Sequence, residues 1–236
     1  MDITDRIVVI TGAAGGLGSV VARELAAAGA RLALVDRDAN RLQVECGMLV
    51  DSRGALLVSG IDLTRPESVA NMARQVIDRF GRVDALLNIA GGYRAGTPVH
   101  ETPVETWDFM LSLNARTAFL VSQAILPHMI ANGSGKIVNV AARSGLEART
   151  NEAAYAASKA AVLRLTEGMA KEYGGHGINV NAVIPGTIDT QANREAMPNA
   201  DFSRWVQPAQ IAAVLRFLIS DAADVITGAA IPVSGR

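Results

Sequence analysis

Residues 6–18 read RIVVITGAAGGLG, a short apolar run followed by a turn that contains four glycines. The apolar run, residues 6–11, predicts a buried β-strand, and the small-residue segment 17–28 predicts a helix. A glycine-rich turn between a strand and a helix lets the backbone approach a pyrophosphate, whose charge the free N–H groups at the helix start can bind. The sequence therefore predicts a nucleotide-binding turn, formed by Gly12, Gly16, Leu17 and Gly18.

Short apolar runs alternate with helix-length segments along the rest of the chain. Further strands are predicted at 31–36, 55–61, 83–88, 135–140, 178–184 and 229–233. Further helices are predicted at 39–52, 66–80, 104–132, 153–173 and 208–220. Continuous apolar strands separated by helices indicate a parallel sheet covered on both faces. Because no linker or repeat interrupts this pattern, we expect a single α/β domain over residues 1–236, a Rossmann-type doubly wound parallel sheet flanked by helices.

Asp36 stands at the end of the second predicted strand, 18 residues after Gly18. A carboxylate at this place accepts hydrogen bonds from the ribose hydroxyls of an adenine dinucleotide and repels the 2′-phosphate of NADP. Asp36 therefore predicts NAD as the cofactor, with NADP less favoured. Arg37 is the opposing signal, unless it is simply a solvated loop charge.

The composition argues against several other classes of protein. The formal net charge is −1, and charges of both signs are interspersed, so no nucleic-acid or anionic-membrane surface is indicated. Cys46 is the only cysteine, which excludes an intrachain disulfide and favours a reducing compartment. Neither a signal-like start nor a run of about 18 apolar residues is present. We expect a soluble cytoplasmic protein with a small-molecule substrate and, since the histidines lack ligand spacing, no metal.

Tyr155 and Lys159 lie four residues apart in the predicted helix 153–173 and therefore share one face. A phenol beside a fixed ammonium is a proton donor whose pKa is expected to fall from about 10 toward neutral pH. Such a pair suits a reaction that adds or removes a proton on oxygen. The spacing is a weak pattern by itself, so an incidental pair on a surface helix is the alternative interpretation.

Together these motifs resemble the short-chain dehydrogenase/reductase family over essentially the whole chain. The glycines follow the family pattern Thr-Gly-x-x-x-Gly-x-Gly, and Asn88 to Gly91 resembles its Asn-Asn-Ala-Gly strand end with Ile89 in place of the second Asn. The resemblance implies hydride transfer between nicotinamide and a substrate carbon while Tyr155 transfers a proton. Lys159 would hold the nicotinamide ribose and lower the Tyr155 pKa.

The same resemblance implies roles for further residues. Asn114 would tie a water-linked proton relay to Lys159. The pair at 62–63 would contact the adenine, and the segment 185–190 would orient the nicotinamide amide. The implied cofactor-binding positions are Asp62, Leu63, Asn88, Ala90, Gly91, Pro185, Ile188 and Thr190. The family also implies a homodimer or homotetramer, packed through the predicted helices 104–132 and 153–173.

Ala142 departs from the family pattern. It stands thirteen residues before Tyr155, where the family has a serine that donates a hydrogen bond to the substrate oxygen. Ser144 is two residues farther on, and a curled strand end would let its hydroxyl replace the missing donor. Otherwise Ser144 is a turn residue, and ordinary ketone reduction should suffer, since losing one such donor costs about 10²–10³ in rate.

A narrower resemblance bears on this departure. Dihydropteridine reductases, a branch of the same family, also carry Ala at this place, and their loops resemble residues 90–93 and 188–205. Tyr93 and Trp205 would then lie beside a flat substrate, or else they anchor their loops to the core. The irregular segment 187–207 is the candidate lid.

Three functions therefore remain open from the sequence. The first is NAD-dependent interconversion of a small alcohol and its carbonyl. The second is reduction of a quinonoid dihydropterin by NADH. The third is a nucleotide-binding protein with little catalysis.

Overall fold

The computed structural model describes residues 1–235, except for the side chains of residues 51–53, and its regular elements alternate along the chain as the sequence predicts. The strands are β1 (Ile7–Thr11), β2 (Arg31–Val35), β3 (Leu56–Val58), β4 (Ala85–Asn88), β5 (Gly135–Val140), β6 (Ile178–Pro185) and β7 (Ala230–Val233). The helices are α1 (Gly18–Ala27), α2 (Ala39–Cys46), α3 (Met48–Arg53), α4 (Pro66–Phe80), α5 (Val104–Met110), α6 (Thr117–Asn132), α7 (Ala153–Tyr173), α8 (Gln191–Ala196) and α9 (Pro208–Leu218).

The seven strands form one parallel sheet in the order β3-β2-β1-β4-β5-β6-β7. The strand order reverses between β1 and β4, whose last residues, Thr11 and Asn88, are paired. In doubly wound sheets a ligand binds in the crevice at the carboxyl ends of the strands beside this reversal. The predicted fold class is confirmed, and the topology places the crevice at the end of β1.

The buried strand β1 explains why both faces of the sheet carry helices. Its side chains alternate, so Val8 and Ile10 belong to the hydrophobic core that contains residues of α1 and α9, whereas Val9 belongs to the core under α4 and α6. All five residues of β1 are buried. A strand that is apolar on both faces is stable only when both faces are covered.

The predicted elements at 39–52 and 55–61 differ in extent from the observed ones. The single helix predicted at 39–52 is two helices: α2 ends at Cys46, and after Gly47 the chain starts α3 with a tighter bond from the Val50 N–H to the Gly47 carbonyl at 3.1 Å. The strand predicted at 55–61 is shorter, since only Leu56–Val58 pair with β2. Both differences are local and leave the topology unchanged.

The long helical stretch predicted at 104–132 is continuous but not uniform. It consists of α5, a wider π-helical segment (Leu111–Arg116) and α6. This stretch is long and apolar enough to span a membrane, but half of its most apolar part is buried inside the fold. Core helices of globular proteins often have the same length and composition, so these properties are weak evidence for a membrane span.

Candidate active site

The Thr11 side chain joins the end of β1 to the loop that follows β4. Its hydroxyl oxygen accepts hydrogen bonds from the backbone N–H groups of Ile89 (3.1 Å) and Ala90 (3.2 Å), and its hydroxyl is 3.4 Å from the Leu87 carbonyl. Thr11 is buried. Thr11 therefore holds the residues after β4 against the glycine-rich turn at the base of the crevice.

The glycine-rich turn needs small residues where it meets its neighbours. Gly12 has φ +67°, and a Cβ on it would lie 2.9 Å from the Ala90 Cα atom. A Cβ on Gly16 would lie 2.9 Å from Cγ2 of Thr190. The turn thus packs directly against both sides of the crevice, as its glycine spacing predicts.

The backbone N–H groups of this turn and the Asp36 carboxylate after β2 suit the binding of a dinucleotide. The N–H groups of Gly16 and Leu17 have no acceptor in the described backbone or among the side chains of residues 1–50 and 54–235, and they lie at the start of α1. Asp36 follows β2, and its two carboxylate oxygens accept from the N–H groups of Ala14 (3.0 Å) and Asp38 (3.1 Å). A carboxylate oxygen has two lone pairs, so each can still accept from a ribose hydroxyl. The donors suit the pyrophosphate and the acceptors suit the ribose.

The predicted adenine pair lies after β3. The Asp62 carboxylate accepts from the Thr64 N–H at 3.0 Å and from the Thr64 hydroxyl at 2.7 Å, and these bonds lower the pKa of Asp62. Leu63 is buried in the core beside α4. The Asp62 side chain therefore shapes this turn, and contact of the pair with adenine stays a prediction.

Lys159 is buried on α7, with 6% of its surface exposed, and its ammonium donates to the Val140 carbonyl at 2.9 Å. A Cβ on Gly91 would lie 2.7 Å from Asn114 Oδ1 and 3.3 Å from Lys159 Nζ. The amide and the ammonium therefore meet at the same point beside the strand end. Burial lowers the pKa of Lys159 to about 8.

The expectation that Lys159 lowers the Tyr155 pKa is wrong for this structure. The pKa of Tyr155 is raised to about 12, chiefly by burial and then by the charge of Glu152 and the neighbouring Tyr93. Burial disfavours the phenolate, and a nearby carboxylate disfavours it further. Tyr155 therefore keeps its proton at neutral pH, as a proton donor must.

Asn114 lies in the π-helical segment, where it is almost completely buried. Its amide donates to the Gly92 carbonyl (3.1 Å) and to the Ser158 hydroxyl (2.9 Å), and its oxygen accepts from the Gly92 N–H (3.0 Å). A π-helical turn inside an α-helix often marks a functional site. Asn114 thus fixes the loop after β4 against α7, and its role in a proton relay stays a prediction.

The Glu152 carboxylate accepts hydrogen bonds from the hydroxyl groups of Ser144 and Tyr93, two residues that the sequence singles out. The Ser144 hydroxyl donates to Glu152 Oε2 at 2.6 Å, and the Tyr93 hydroxyl donates to Glu152 Oε1 at 3.1 Å. The Tyr93 ring lies edge-on to the Tyr155 ring with centroids 4.8 Å apart, and Tyr93 is 63% exposed. Tyr93 therefore lies beside the reacting phenol, where a substrate could contact its ring.

The structure corrects the interpretation of Ser144 as a free donor. The strand ends at Val140, Ala142 is buried, and residues Arg143–Gly145 form a 3₁₀ turn, so Ser144 is not the next inward position on a curled strand. Its only hydroxyl proton is bound to Glu152. Neither Ala142 nor Ser144 offers a free donor to a substrate oxygen in this arrangement.

Asn88 is a predicted cofactor-binding residue whose side chain points into the sheet core. It donates to the Ser122 hydroxyl (3.1 Å) and to Asn139 Oδ1 (2.9 Å), and Asn139 in turn donates to the Thr166 hydroxyl (2.8 Å). This network joins β4, β5, α6 and α7 behind the crevice. Any contact of Asn88 with a cofactor would therefore involve its backbone.

The candidate lid, residues 187–207, has a structured base. Ile188 and Val206 form a parallel bridge, and Thr190 caps α8 by accepting from the Asn193 N–H at 3.3 Å. Pro185 ends β6 directly before this segment. Thr190 also lies against Gly16, so the segment starts at the nucleotide turn.

The contacts of Trp205 favour the anchoring interpretation over contact with substrate. Trp205 is 9% exposed, and its ring packs on Phe202 with centroids 4.7 Å apart. The Arg194 guanidinium lies over the other aromatic ring, Phe202, at 4.8 Å and forms a two-bond ion pair with Asp189 (2.5 and 2.7 Å). All of these contacts are formed between residues of the segment 187–207 itself.

The sequence did not single out Glu152, Ser158 or the bridging role of Thr11. Glu152 lies three residues before Tyr155, a spacing that places two side chains near each other at a helix start. That spacing was the available signal, but only the fold brings Tyr93 and Ser144 to the same carboxylate.

Replacing the buried Lys159 by Met should change how stability depends on pH. Below pH 8 this lysine is charged in both the folded and the unfolded protein, and burial of the charge destabilises the fold. Between pH 8 and 10.5 only the unfolded lysine stays protonated. The free energy of unfolding of wild type should therefore increase relative to that of Lys159→Met as the pH rises. The expected increase is about 3 kcal/mol, at about 1.36 kcal/mol per pKa unit. Denaturant unfolding from pH 7 to pH 10 measures this difference.

The matched control is Lys171→Met, which removes an exposed lysine near the end of the same helix. Its stability difference from wild type should not change over this range. A constant difference for Lys159→Met as well would contradict the depressed pKa.

Comparison with known proteins supplies independent findings. The profile of the short chain dehydrogenase family matches residues 6–201. D-threitol dehydrogenase of Mycolicibacterium smegmatis is 35% identical, covering 98% of this chain and 92% of that protein. NAD-dependent glycerol dehydrogenase of Listeria innocua is 33% identical, covering 99% and 94%.

Two solved structures are similar over the whole fold. The crystal structure of levodione reductase has a TM-score of 0.91 at 33% identity, covering 99% of this chain and 97% of that one. The crystal structure of NAD⁺-bound xylitol dehydrogenase has a TM-score of 0.90 at 28% identity and covers 100% of both chains.

Proposed function

Because this chain belongs to the short-chain dehydrogenase family, we propose that it interconverts small neutral hydroxylated alcohols and their ketones, with Tyr155 as the proton-transfer group. The protein is an oxidoreductase that transfers hydride between NAD and a small alcohol or carbonyl compound. The role of Tyr155 rests on one observation: Tyr155 lies one helical turn from Lys159 on α7. The Lys159 ammonium and the Asn114 amide both lie next to Gly91, close to the nucleotide turn.

Each residue has a separate task in this proposal. NAD, when bound, accepts or supplies the hydride at its nicotinamide. In ketone reduction Tyr155 donates its proton to the carbonyl oxygen, and in alcohol oxidation its deprotonated form, the phenolate, takes the hydroxyl proton. Lys159 would hold the nicotinamide ribose. Asn114 holds the loop at Gly92 through two hydrogen bonds and joins it to α7 through a third, to the Ser158 hydroxyl.

Ala142 limits how the reacting oxygen can be held. Its methyl group cannot donate a hydrogen bond, and the Ser144 hydroxyl is bound to Glu152. Tyr155 is therefore the donor that remains for the substrate oxygen, and a substrate must be oriented by contacts elsewhere. A substrate with more than one polar group can provide such contacts.

The substrate class is supported by similar proteins. The relatives and neighbours named above are dehydrogenases of threitol, glycerol and xylitol and a reductase of levodione. Threitol, glycerol and xylitol are small, uncharged and polyhydroxylated. We therefore assign the same chemical type of substrate to this chain.

A substrate panel tests the proposal. With NAD⁺, we expect the purified protein to oxidise butane-2,3-diol, and with NADH to reduce the corresponding hydroxyketone. Formation or loss of reduced nicotinamide is followed by absorbance. No turnover of any small alcohol or ketone, by a protein that binds NAD, would contradict the proposal.

Reduction of a dihydropterin is the second candidate. It is favoured by Ala142 and by the exposed Tyr93 ring next to Tyr155, which could stack on a flat substrate. Quinonoid dihydropterin belongs in the same panel. Faster NADH-dependent turnover of the pterin than of every ketone would make it the function.

A protein that binds nucleotide with little catalysis is the third candidate. It would give no turnover in either arm of the panel. We rank it last because binding alone has no use for a buried lysine one turn from a tyrosine.

We extend the proposal to a homodimer or homotetramer formed through the helical stretch Val104–Asn132 and α7. Large apolar side chains on the first of these, Trp107, Phe109 and Phe119, are 41–47% exposed in the single chain. Exposed apolar surface of this kind marks interaction sites. A monomer in sedimentation experiments at micromolar concentration would contradict this assembly.

A further inference from the structure

A carboxylate without a cationic partner lies within the candidate active site. Glu152 is 9% exposed, and it takes part in none of the ion pairs formed by the described side chains, those of residues 1–50 and 54–235. Taking a charged group out of water is costly unless hydrogen bonds or opposite charges compensate. Here the compensation comes from two neutral hydroxyl groups, those of Ser144 and Tyr93.

Capping of the helix start does not account for a carboxylate at position 152. It is the residue before the first turn of α7, where a short polar side chain such as Asp or Ser often accepts a backbone N–H and stabilises the helix. The Glu152 side chain makes no such capping bond. Its carboxylate is directed instead to the two hydroxyls from other segments.

The carboxylate lies close to the reacting phenol. Tyr93 donates to Glu152 with its hydroxyl while its ring contacts the Tyr155 ring edge-on, so one tyrosine ring spans the distance between them. The negative charge also raises the pKa of Tyr155, which shows that the two groups interact. A polar group of the substrate that extends from Tyr155 along the Tyr93 ring would therefore reach Glu152.

The arrangement selects donors and rejects anions. An ionised carboxylate accepts about four hydrogen bonds, and Glu152 accepts two from side chains. Both neighbouring hydroxyls give their protons to it, so neither offers a donor to an anionic substrate. The free capacity suits a second hydroxyl or an ammonium group of the substrate, and the negative charge repels a substrate carboxylate.

We propose that Glu152 is the specificity-determining residue of this site, which accepts a hydrogen bond from a second donor group of the substrate and excludes carboxylates. This inference rests on the proposed alcohol dehydrogenase function. It explains how a site with alanine at position 142 orients its substrate: the second hydroxyl binds Glu152 while the first meets Tyr155.

Four compounds with the same four-carbon skeleton test the proposal with NAD⁺: butan-2-ol, butane-2,3-diol, 3-aminobutan-2-ol and 3-hydroxybutanoate. For wild type we expect kcat/KM to be at least tenfold higher for the diol and the amino alcohol than for butan-2-ol, with 3-hydroxybutanoate the poorest. The amino alcohol and the diol separate an ammonium from a hydroxyl as the preferred donor. A hydroxy acid used as well as the diol would overturn the proposal.

Glu152→Gln keeps the shape and removes the charge. We expect the ratio of kcat/KM for the diol to that for butan-2-ol to fall tenfold or more, mainly through KM, and the relative rate with 3-hydroxybutanoate to rise. The matched control is Glu147→Gln, an exposed glutamate in the same loop, which should leave the ratio unchanged. An unchanged ratio in a folded Glu152→Gln protein would overturn the proposal.

The failures of the two proposals are distinguishable. If wild type binds NAD⁺ but oxidises none of the alcohols, the proposed function is wrong and the inference falls with it. If wild type oxidises both the diol and butan-2-ol without preference, only the inference about Glu152 is overturned. Should Glu152→Gln not fold, the order of the four compounds with wild type decides the question.

Discussion

Replacing Tyr155 by Phe is expected to lower kcat by about 10²–10⁴-fold with every alcohol or ketone that the wild type turns over. Positioned proton transfer contributes about this much to catalysis, and neither Ala142 nor Ser144 offers a second proton donor at the substrate oxygen. The phenyl ring keeps the volume and the edge-on contact with Tyr93. Steady-state kinetics of reduced nicotinamide formation measure the loss.

The control is Tyr173→Phe, which removes a hydroxyl from the last residue of the same helix, far along the chain from the site. It should keep wild-type kcat. NAD⁺ affinity of Tyr155→Phe, measured by calorimetry, should stay within a few-fold of wild type. A Tyr155→Phe protein that kept a tenth of its turnover would exclude Tyr155 as the main proton donor.

The second large effect concerns cofactor choice. Wild type should bind NAD⁺ about 10²–10³-fold more tightly than NADP⁺, because the Asp36 carboxylate lies where the adenosine ribose is expected. A unit charge pair about 4 Å apart near a protein surface interacts by about 4 kcal/mol, so repulsion of the 2′-phosphate accounts for a preference of this size. Asp36→Asn should reduce the preference to tenfold or less, as calorimetric titration of both cofactors would measure.

Asp38→Asn provides the matched control for this change. Asp38 is the next acidic residue and is exposed, and its side chain accepts from the Arg41 N–H at the start of α2. Its loss should affect stability slightly and leave the cofactor preference unchanged. Tighter binding of NADP⁺ than of NAD⁺ by wild type would contradict the role of Asp36 and point to Arg37.

The sequence predicts the topology well because the signals are local. An apolar run such as β1 is stable only inside a sheet covered on both faces, and a glycine turn after it is required by close backbone contacts at Gly12. The break at Gly47 and the short β3 depend on where the chain meets its neighbours. Such boundaries follow tertiary contacts, which periodicity does not contain.

The candidate site is only partly predictable for the same reason. Spacing places Tyr155 and Lys159 on one helix face, but their pKa values depend on burial and on partners from other segments. The π-helical turn that directs Asn114 to Gly92 has no sequence pattern that we recognise. Glu152 joins residues 93 and 144, which only the fold brings together.

The most direct test of the central claim, hydride transfer between a small alcohol and NAD with Tyr155 as the proton-transfer group, uses butane-2,3-diol deuterated at its carbinol carbons. Mass spectrometry of the reduced cofactor after reaction with NAD⁺ should show one deuterium per nicotinamide for wild type. Under the same conditions, Tyr155→Phe should form labelled cofactor about 10²–10⁴-fold more slowly. Reduced cofactor without deuterium, or labelled cofactor formed as fast by Tyr155→Phe as by wild type, would contradict it.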